Sequence, residues 1–291
     1  MRGAFTWMLA ALVVAGCGDG GIERLEWTVM GTVAAVQVRT GGTRAGAARC
    51  RDTAKAAFAE VERLLDAHDP GSEICRLAPL PDEEVLQKCD RRMRPCYEAA
   101  FRLARESGGA FNPRWRGEGT LDLGAIAKGF AVDLAAGGMC AGSEVLVDLG
   151  GNLKAVAPEG VSSELTVGVR DPGGDGIAAT VRLRPGEALA TSAEYFRGSH
   201  IYDGRTGRPA ESGVASVTVL SRSAMEADAL STLLFVLGPE EARSFLEKGG
   251  YEASALFLMK DGRRATCGDA ARFDIIHAYG PVAQSVRAGD S

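Results

Sequence analysis

LDLGAIAKGFAVDLAAGGMCAGSEVLVDLGGN, residues 121–152, contains both kinds of element from which the fold is built. Its first half is apolar and rich in small residues, and predicts a helix over about 124–136. Its second half, EVLVDLGG, predicts a strand ending in a Gly-Gly turn. Downstream, strands are expected at 165–169 and 178–183, separated by DPGGDG, and at 214–220, which leads into another apolar helix. Upstream, Val, Thr and Ala alternate over 27–38 as strand material. An amphipathic helix follows over about 47–67, with Phe58, Val61, Leu64 and Leu65 on one stripe, and a second over about 90–107. Between these helices HDPGSEICRLAPLPDEE reads as loop around a short helical turn started by Ser72 and Glu73. Helices mixed with hairpin-like strands favour an α+β body over a doubly wound sheet.

The first seventeen residues, MRGAFTWMLAALVVAGC, put Arg2 before an apolar run too short to span a bilayer comfortably, and small residues then lead to a cysteine. This pattern resembles a bacterial lipoprotein signal. Cys17 is then the lipidated first residue of the mature protein, residues 18–26 are a tether, and residues 27–291 form one domain. Hydrophobic content of 46% and a net charge of -5 describe a globular body with a sizeable core. Mild acidity without basic runs argues against a nucleic-acid partner. Six cysteines besides Cys17 allow disulfides outside the cytoplasm, of which Cys89 with Cys96 is the only locally plausible pair, and no zinc spacing occurs.

SRSAMEADALSTLLFVLG, residues 221–238, puts Asp228 and Thr232 four apart in an apolar helical run. One carboxylate and one hydroxyl then share a helix face, and both are hard oxygen donors of the kind magnesium prefers. Alone, the pair fits a partly exposed helix with two polar residues as well. LDLGAIAKGFAVD carries Asp122, Lys128 and Asp133 among glycines that let a ligand approach the backbone, but it matches neither a Walker nor a dinucleotide fingerprint. TSAEYFRGSHIYDGRTGRP gathers His200, Asp203 and Arg205 beside Tyr195 and Arg197, a density of titratable groups beyond what a surface hairpin needs.

In chain order, MGT (30–32), HDPGSEICRL, GGAFNP (108–113), LDLGAIAKGFAVD, VDLGGN, VGVRDP (167–172), ATSAEYFRGSHIYDGRTGRP and MEADALSTLLFVLG together resemble the ApbE family, the FAD:protein FMN transferases. The resemblance implies a T-fold-like α+β body of antiparallel sheets and packed helices, with FAD in a cleft between two halves. It implies magnesium held by Asp228 and Thr232 with a backbone oxygen of Ala125. FAD contacts fall on Met30, Ala110, Phe111, Asp122, Lys128 and Ser231, with His68 and Asn112 at two further cofactor positions. The active-site histidine falls on His200, with Asp203 in the same motif.

The implied reaction moves FMN from FAD to a Thr or Ser hydroxyl of an exported or membrane-attached acceptor flavoprotein of an electron-transfer system, leaving AMP. The body would face the periplasm or cell exterior on its lipid anchor. Two alternatives use the same residues: a magnesium-dependent FAD pyrophosphatase giving FMN and AMP, and a non-catalytic FAD-binding lipoprotein. Four positions depart from the family pattern. His68 stands in place of a tyrosine, which changes a stacking wall for the flavin. Asn112 replaces an aspartate and removes a charge. Gly204 replaces a proline, which is expected to loosen the backbone beside His200, and Ala125 replaces a second glycine.

Overall fold

The computed structural model describes residues 11–14, 21–39, 44–139, 142, 144–194 and 201–276. Strands β2 (Ile22–Val29) and β3 (Thr32–Arg39) form a hairpin at one edge of an antiparallel eight-stranded sheet. Next come β4 (Val145–Leu149), β5 (Asn152–Val156), β8 (Ala188–Ala193), β11 (Val214–Ser221), β12 (Ser254–Met259) and β13 (Arg264–Cys267). A second sheet runs β1 (Ala11–Val14), β6 (Leu165–Arg170), β7 (Ile177–Leu183), β14 (Phe273–Ile275). A third, two-stranded piece pairs β9 (Tyr202–Asp203) with β10 (Arg208–Pro209).

The large sheet is buried on both faces, and the period-two rule sorts its side chains. Val36, Val147, Leu149, Val217 and Phe257 face helices α1 (Arg44–Leu65), α5 (Ala127–Gly137) and α6 (Ala224–Gly249). Leu146, Leu153, Leu189, Leu220 and Leu256 face Val167, Val181 and Phe273 of the small sheet. The expected α1 stripe is the buried one, Phe58 and Val61 being fully covered, with Trp27 stacked on Phe58 at 5.8 Å. Each such side chain contributes roughly 1.5–3 kcal/mol by leaving water. Three short helices, α2 (Glu73–Leu77), α3 (Asp82–Lys88) and α4 (Arg94–Glu106), complete the helical layer. Ser72 caps α2 as its sequence predicts, accepting the Cys75 amide at 3.3 Å.

Three expectations need correction. Residues 22–26, expected in the tether, are the first five of the eight residues of β2, paired from Ile22↔Arg39 to Glu26↔Ala35. Cys89 and Cys96 are both free thiols, and Cys89 turns its sulfur to the Leu86 carbonyl. The strand material at 27–38 is two strands, because Met30 and Gly31 both adopt positive φ, the geometry of a tight primed hairpin turn. Cys17 lies outside the described residues, and no helix among those described is long and apolar enough to cross a membrane.

Helix α6 breaks at Gly238 (φ 72°), where Pro239 follows, so Ala224 to Leu237 is one straight segment. Ser223 starts it as the N-cap, its hydroxyl accepting the Glu226 amide at 3.1 Å. This segment lies on α5 so closely that a Cβ at Gly129 would sit 2.1 Å from the Ala224 carbonyl oxygen and 2.7 Å from the Asp228 Cβ. Gly129→Ala is therefore expected to destabilise the fold by about 3 kcal/mol through forced separation of the helices, offset by only ~1 kcal/mol of helix propensity. Denaturant unfolding at wild-type midpoint would show that the helices part without cost.

Candidate active site

Asp228 projects from α6 onto the first turn of α5, where backbone amides have no carbonyl one turn back. Its Oδ2 accepts the Gly129 amide at 2.8 Å, and its Oδ1 lies 3.5 Å from the Lys128 ammonium. At 4% exposure an ionised carboxylate needs such partners, and both are supplied by adjacent residues of one helix turn. Lys128 also reaches the Gly124 carbonyl at 3.4 Å, while Asp122 shapes the turn before α5 by accepting the Gly124 amide at 2.8 Å. Ala125 sits inside that turn.

One turn along, the relation is reversed. Asp133 of α5 accepts the Ala224 and Met225 amides of α6 at 3.0 and 2.9 Å and the Ser223 hydroxyl at 2.7 Å. Lys154 of β5 supports it at 3.0 Å. Each helix thus caps the exposed amides of the other.

Beside Asp228, three hydroxyls meet. Ser192 of β8 is 2.8 Å from the Ser231 hydroxyl and 3.2 Å from that of Thr232, and Ser231 donates to the Asp228 carbonyl at 2.9 Å. Asp228, Ser231 and Thr232 therefore share one face, as the four-residue spacing predicts. Ser192, in the ATSA segment, joins this group across 39 and 40 positions of sequence, so no local spacing marks it. Asp228 offers a carboxylate, Thr232 a hydroxyl and the turn holding Ala125 a carbonyl, oxygen donors of the kind a small hard dication takes. Among the described residues no three His, Cys, Asp or Glu side chains come together as a metal-holding cluster.

Met30 and Gly31 turn at the end of β2–β3, and the Met30 amide donates to Glu62 of α1 at 2.7 Å. Glu62 was not anticipated. The adjoining turn, Gly150–Gly151, also has both residues at positive φ, and Gly150 packs against Thr32. Asp148 stabilises it by accepting the Gly151 amide at 3.0 Å. Burial pushes the Asp148 carboxyl up to about 6, against the lowering effects of the Gly151 amide and of Arg24, whose guanidinium is 3.9 Å away. His68 is exposed on the loop between α1 and α2, its amide held by Asp66.

Ala110 and Phe111 are buried members of the core, at 1% and 5% exposure. Phe111 is thus a core side chain, which leaves little of its ring open to a FAD contact. Asn112 uses both side-chain atoms within the protein, accepting the Arg114 amide at 2.8 Å and donating to the Gly204 carbonyl at 3.2 Å. Gly204 is tightly packed, contrary to the loosening expected: a Cβ there would lie 2.3 Å from the Asn112 Cβ and 2.4 Å from the Gly109 carbonyl oxygen. Both carboxylate oxygens of Asp203 are taken by Arg205, at 2.8–3.1 Å, and this pairing holds the Asp203 carboxyl below the usual range. His200 lies outside the described residues.

Comparison with known proteins bears on the family and the fold. The model of the ApbE family matches residues 30–119 and 114–257. A FAD:protein FMN transferase of Rhodobacter capsulatus is 43% identical over 152 residues, covering 49% of this chain and 28% of its own length. One of Treponema pallidum is 35% identical over 224 residues, covering 69% and 60%. The chain thus spans less than two thirds of these relatives. The apo flavinyl transferase ApbE of Pseudomonas stutzeri superposes with a TM-score of 0.65 at 22% identity, covering 88% of this chain and 97% of that one. The ApbE protein of Thermotoga maritima gives 0.70 at 23%, covering 85% and 97%. At such identity these two likenesses establish the fold, a mixed α+β body.

Asp148 gives a test of the turn beside Met30. Its carboxyl titrates higher in the folded than in the unfolded chain, so its ionisation opposes folding increasingly as pH rises from about 4 to 6. Asp148→Asn keeps an acceptor for Gly151 and removes that ionisation. It is expected to raise Tm relative to wild type at pH 7–8, by an amount equivalent to about 2–3 kcal/mol, with the gain shrinking as pH falls from about 6 towards 4. A pH-independent difference would exclude a strained carboxylate there.

Proposed function

Because the chain belongs to the ApbE family, we propose that it transfers the FMN moiety of FAD to a Thr or Ser hydroxyl of an acceptor flavoprotein, releasing AMP. The observation that carries this reading is the pairing of the buried Asp228 carboxylate with the Gly129 amide and the Lys128 ammonium at the α5–α6 contact, on the same helix whose Ser231 and Thr232 hydroxyls meet Ser192 of β8. Asp228, Thr232 and the Ala125 carbonyl would hold magnesium, which when bound neutralises charge on the diphosphate. Lys128 offers a positive point charge to phosphate oxygens. Ser231 and the backbone of the Ala110–Phe111 and Met30 segments bind and orient the dinucleotide, with Asp122 fixing the turn that presents Lys128.

The acceptor hydroxyl oxygen attacks the phosphorus that carries the riboflavin side, the P–O bond to AMP breaks, and the hydroxyl proton passes to a base. Asp203 is poorly suited to take that proton, since Arg205 occupies both its oxygens and lowers its basicity. His200 is the better acceptor, with a basicity suited to neutral pH. Incubating the protein with FAD, magnesium chloride and exported candidate acceptors should add the mass of FMN to a Thr or Ser. FMN and AMP appearing with no acceptor modified would make the protein a pyrophosphatase instead.

Asp228→Asn keeps the shape and the acceptor for Gly129 but removes the formal charge. Turnover is expected to fall at least 10²-fold, and FAD affinity to lose its dependence on added magnesium, in a protein that still folds. Thr232→Val should act in the same direction more weakly. Near-normal turnover of Asp228→Asn at ordinary magnesium would rule out this helix as the holder of the ion.

We further propose that Cys17 anchors the body by lipid on the outer side of the membrane. Cys17→Ser removes the thiol that a diacylglyceryl group needs, and with it acyl burial of roughly 0.8 kcal/mol per CH₂. The variant should leave the membrane fraction while keeping its activity. A variant that stays membrane-bound would exclude the anchor.

A further inference from the structure

We propose that Asn112 is a positioning residue for transfer: its side-chain amide clasps the loop carrying Ala110 and Phe111 onto the hairpin carrying Asp203. The inference rests on the flavin transfer proposed above and assigns Asn112 a role other than touching FAD.

Three contacts join the two segments. The Gly204 amide donates to the Ala110 carbonyl at 3.1 Å, and the Asn112 amide nitrogen returns a bond to the Gly204 carbonyl at 3.2 Å. The orientation of the Asn112 side chain is chemically fixed, because its Oδ1 accepts the Arg114 amide at 2.8 Å and only nitrogen is left to face Gly204. Farther along both segments, Trp115 stacks on Tyr202 with ring centroids 4.3 Å apart and planes 17° from parallel. Gly204 admits no Cβ, so the two backbones touch directly at this point.

The clasp requires a hydrogen-bond donor at position 112. A carboxylate of the same shape would set an acceptor against the Gly204 carbonyl, whereas a protonated carboxyl would restore a donor. Among the described residues, the charged groups on these two segments are already matched. The Arg114 guanidinium is engaged by Asp82 and by the carbonyls of Ala78, Leu80 and Thr120, and Asp203 pairs with Arg205, which also lies 3.7 Å from Glu241. A carboxylate at 112 therefore gains no spare counter-ion from them. Its protonated form is favoured in the folded chain, so both stability and geometry decline as pH rises through its titration.

The experiment compares wild type, N112D and N112A between about pH 5 and 9. It measures AMP release from FAD with magnesium chloride and an exported Thr-bearing acceptor domain, FAD affinity by fluorescence titration, and Tm. N112D is expected to show kcat about tenfold below wild type at pH 8, recovering towards wild type near pH 5, with FAD affinity within about twofold throughout. Its Tm deficit should grow over the same pH range. N112A should lose a similar factor in kcat at every pH.

A wild-type kcat for N112D at pH 8, or a deficit that ignores pH, would overturn the clasp. A loss confined to FAD affinity would overturn it too, making Asn112 a ligand contact. If N112D is unfolded at every pH, N112A decides: reduced kcat with unchanged FAD affinity supports the clasp, and unchanged kcat removes it. Failure of the transfer reading looks different, since wild type itself would then modify no acceptor. The pH course of the N112D Tm deficit, which needs no turnover, would still report whether the clasp exists.

Discussion

Everything in the site depends on Gly129 lying flush against the Ala224 carbonyl. Two antiparallel helices approach this closely only where one side chain is absent, and the approach lets each helix satisfy the other's exposed amides. Asp228 serves Gly129 of α5, and one turn away Asp133 serves Ala224 and Met225 of α6. Negative charge near a helix N-terminus is favourable, so the same two carboxylates complement both helix dipoles while fixing their axial register. Asp228 is thereby held in one rotamer before any ligand arrives, with one oxygen committed to the backbone and the other turned to Lys128.

The sheet supplies the second constraint. Its hairpins β2–β3 and β4–β5 end in neighbouring two-residue turns, both at positive φ, and Gly150 packs on Thr32 where they meet. A backbone so tightly turned would drift if its ends were free. Glu62 of α1 holds the first through the Met30 amide, and Asp148 holds the second through the Gly151 amide. Carboxylates accepting backbone amides thus recur at the α5–α6 contact, at the α6 start and at both turns. In each case a long-range contact, or a short reach within a turn, fixes backbone that secondary structure alone leaves open.

How much of this could be read from residues followed the range of the interaction responsible. Asp228 with Thr232, the α1 stripe and the Ser72 cap are set by spacings within a turn or two of helix, and the sequence carries them openly. The assignment of 22–26 to a tether failed because IERLEWTV alternates charges with apolar residues, as a strand at a sheet edge does when solvent covers one side. Helix α3 was hidden in a loop by Pro81 and three successive acids, although acids at a helix start favour it. Asn112 and Gly204 looked like a lost charge and a loosened backbone. Their bond joins positions 92 apart, and nothing local announces it. The burial of Phe111 is equally silent in the sequence, since an aromatic in a glycine-rich segment does not reveal which side of it the core occupies.

The two walls of the site differ in what their carboxylates can do. On the α5–α6 side, Asp228 is balanced by one amide and one ammonium at 3.5 Å, a distance that leaves its Oδ1 open to a stronger cation. On the hairpin side, Asp203 is closed off by Arg205 through both oxygens and the backbone amide, a pairing that favours the ionised form and weakens it as a base. A cation site needs negative charge with spare coordination, whereas a proton acceptor needs basicity near neutral pH. Asp228 meets the first requirement and Asp203 fails the second, so the hairpin carboxylate acts chiefly as a fastener. With Arg205 it fixes the turn at 203–205, while the bonds that reach the 109–115 loop are made by the neighbouring Gly204 with Ala110 and Asn112.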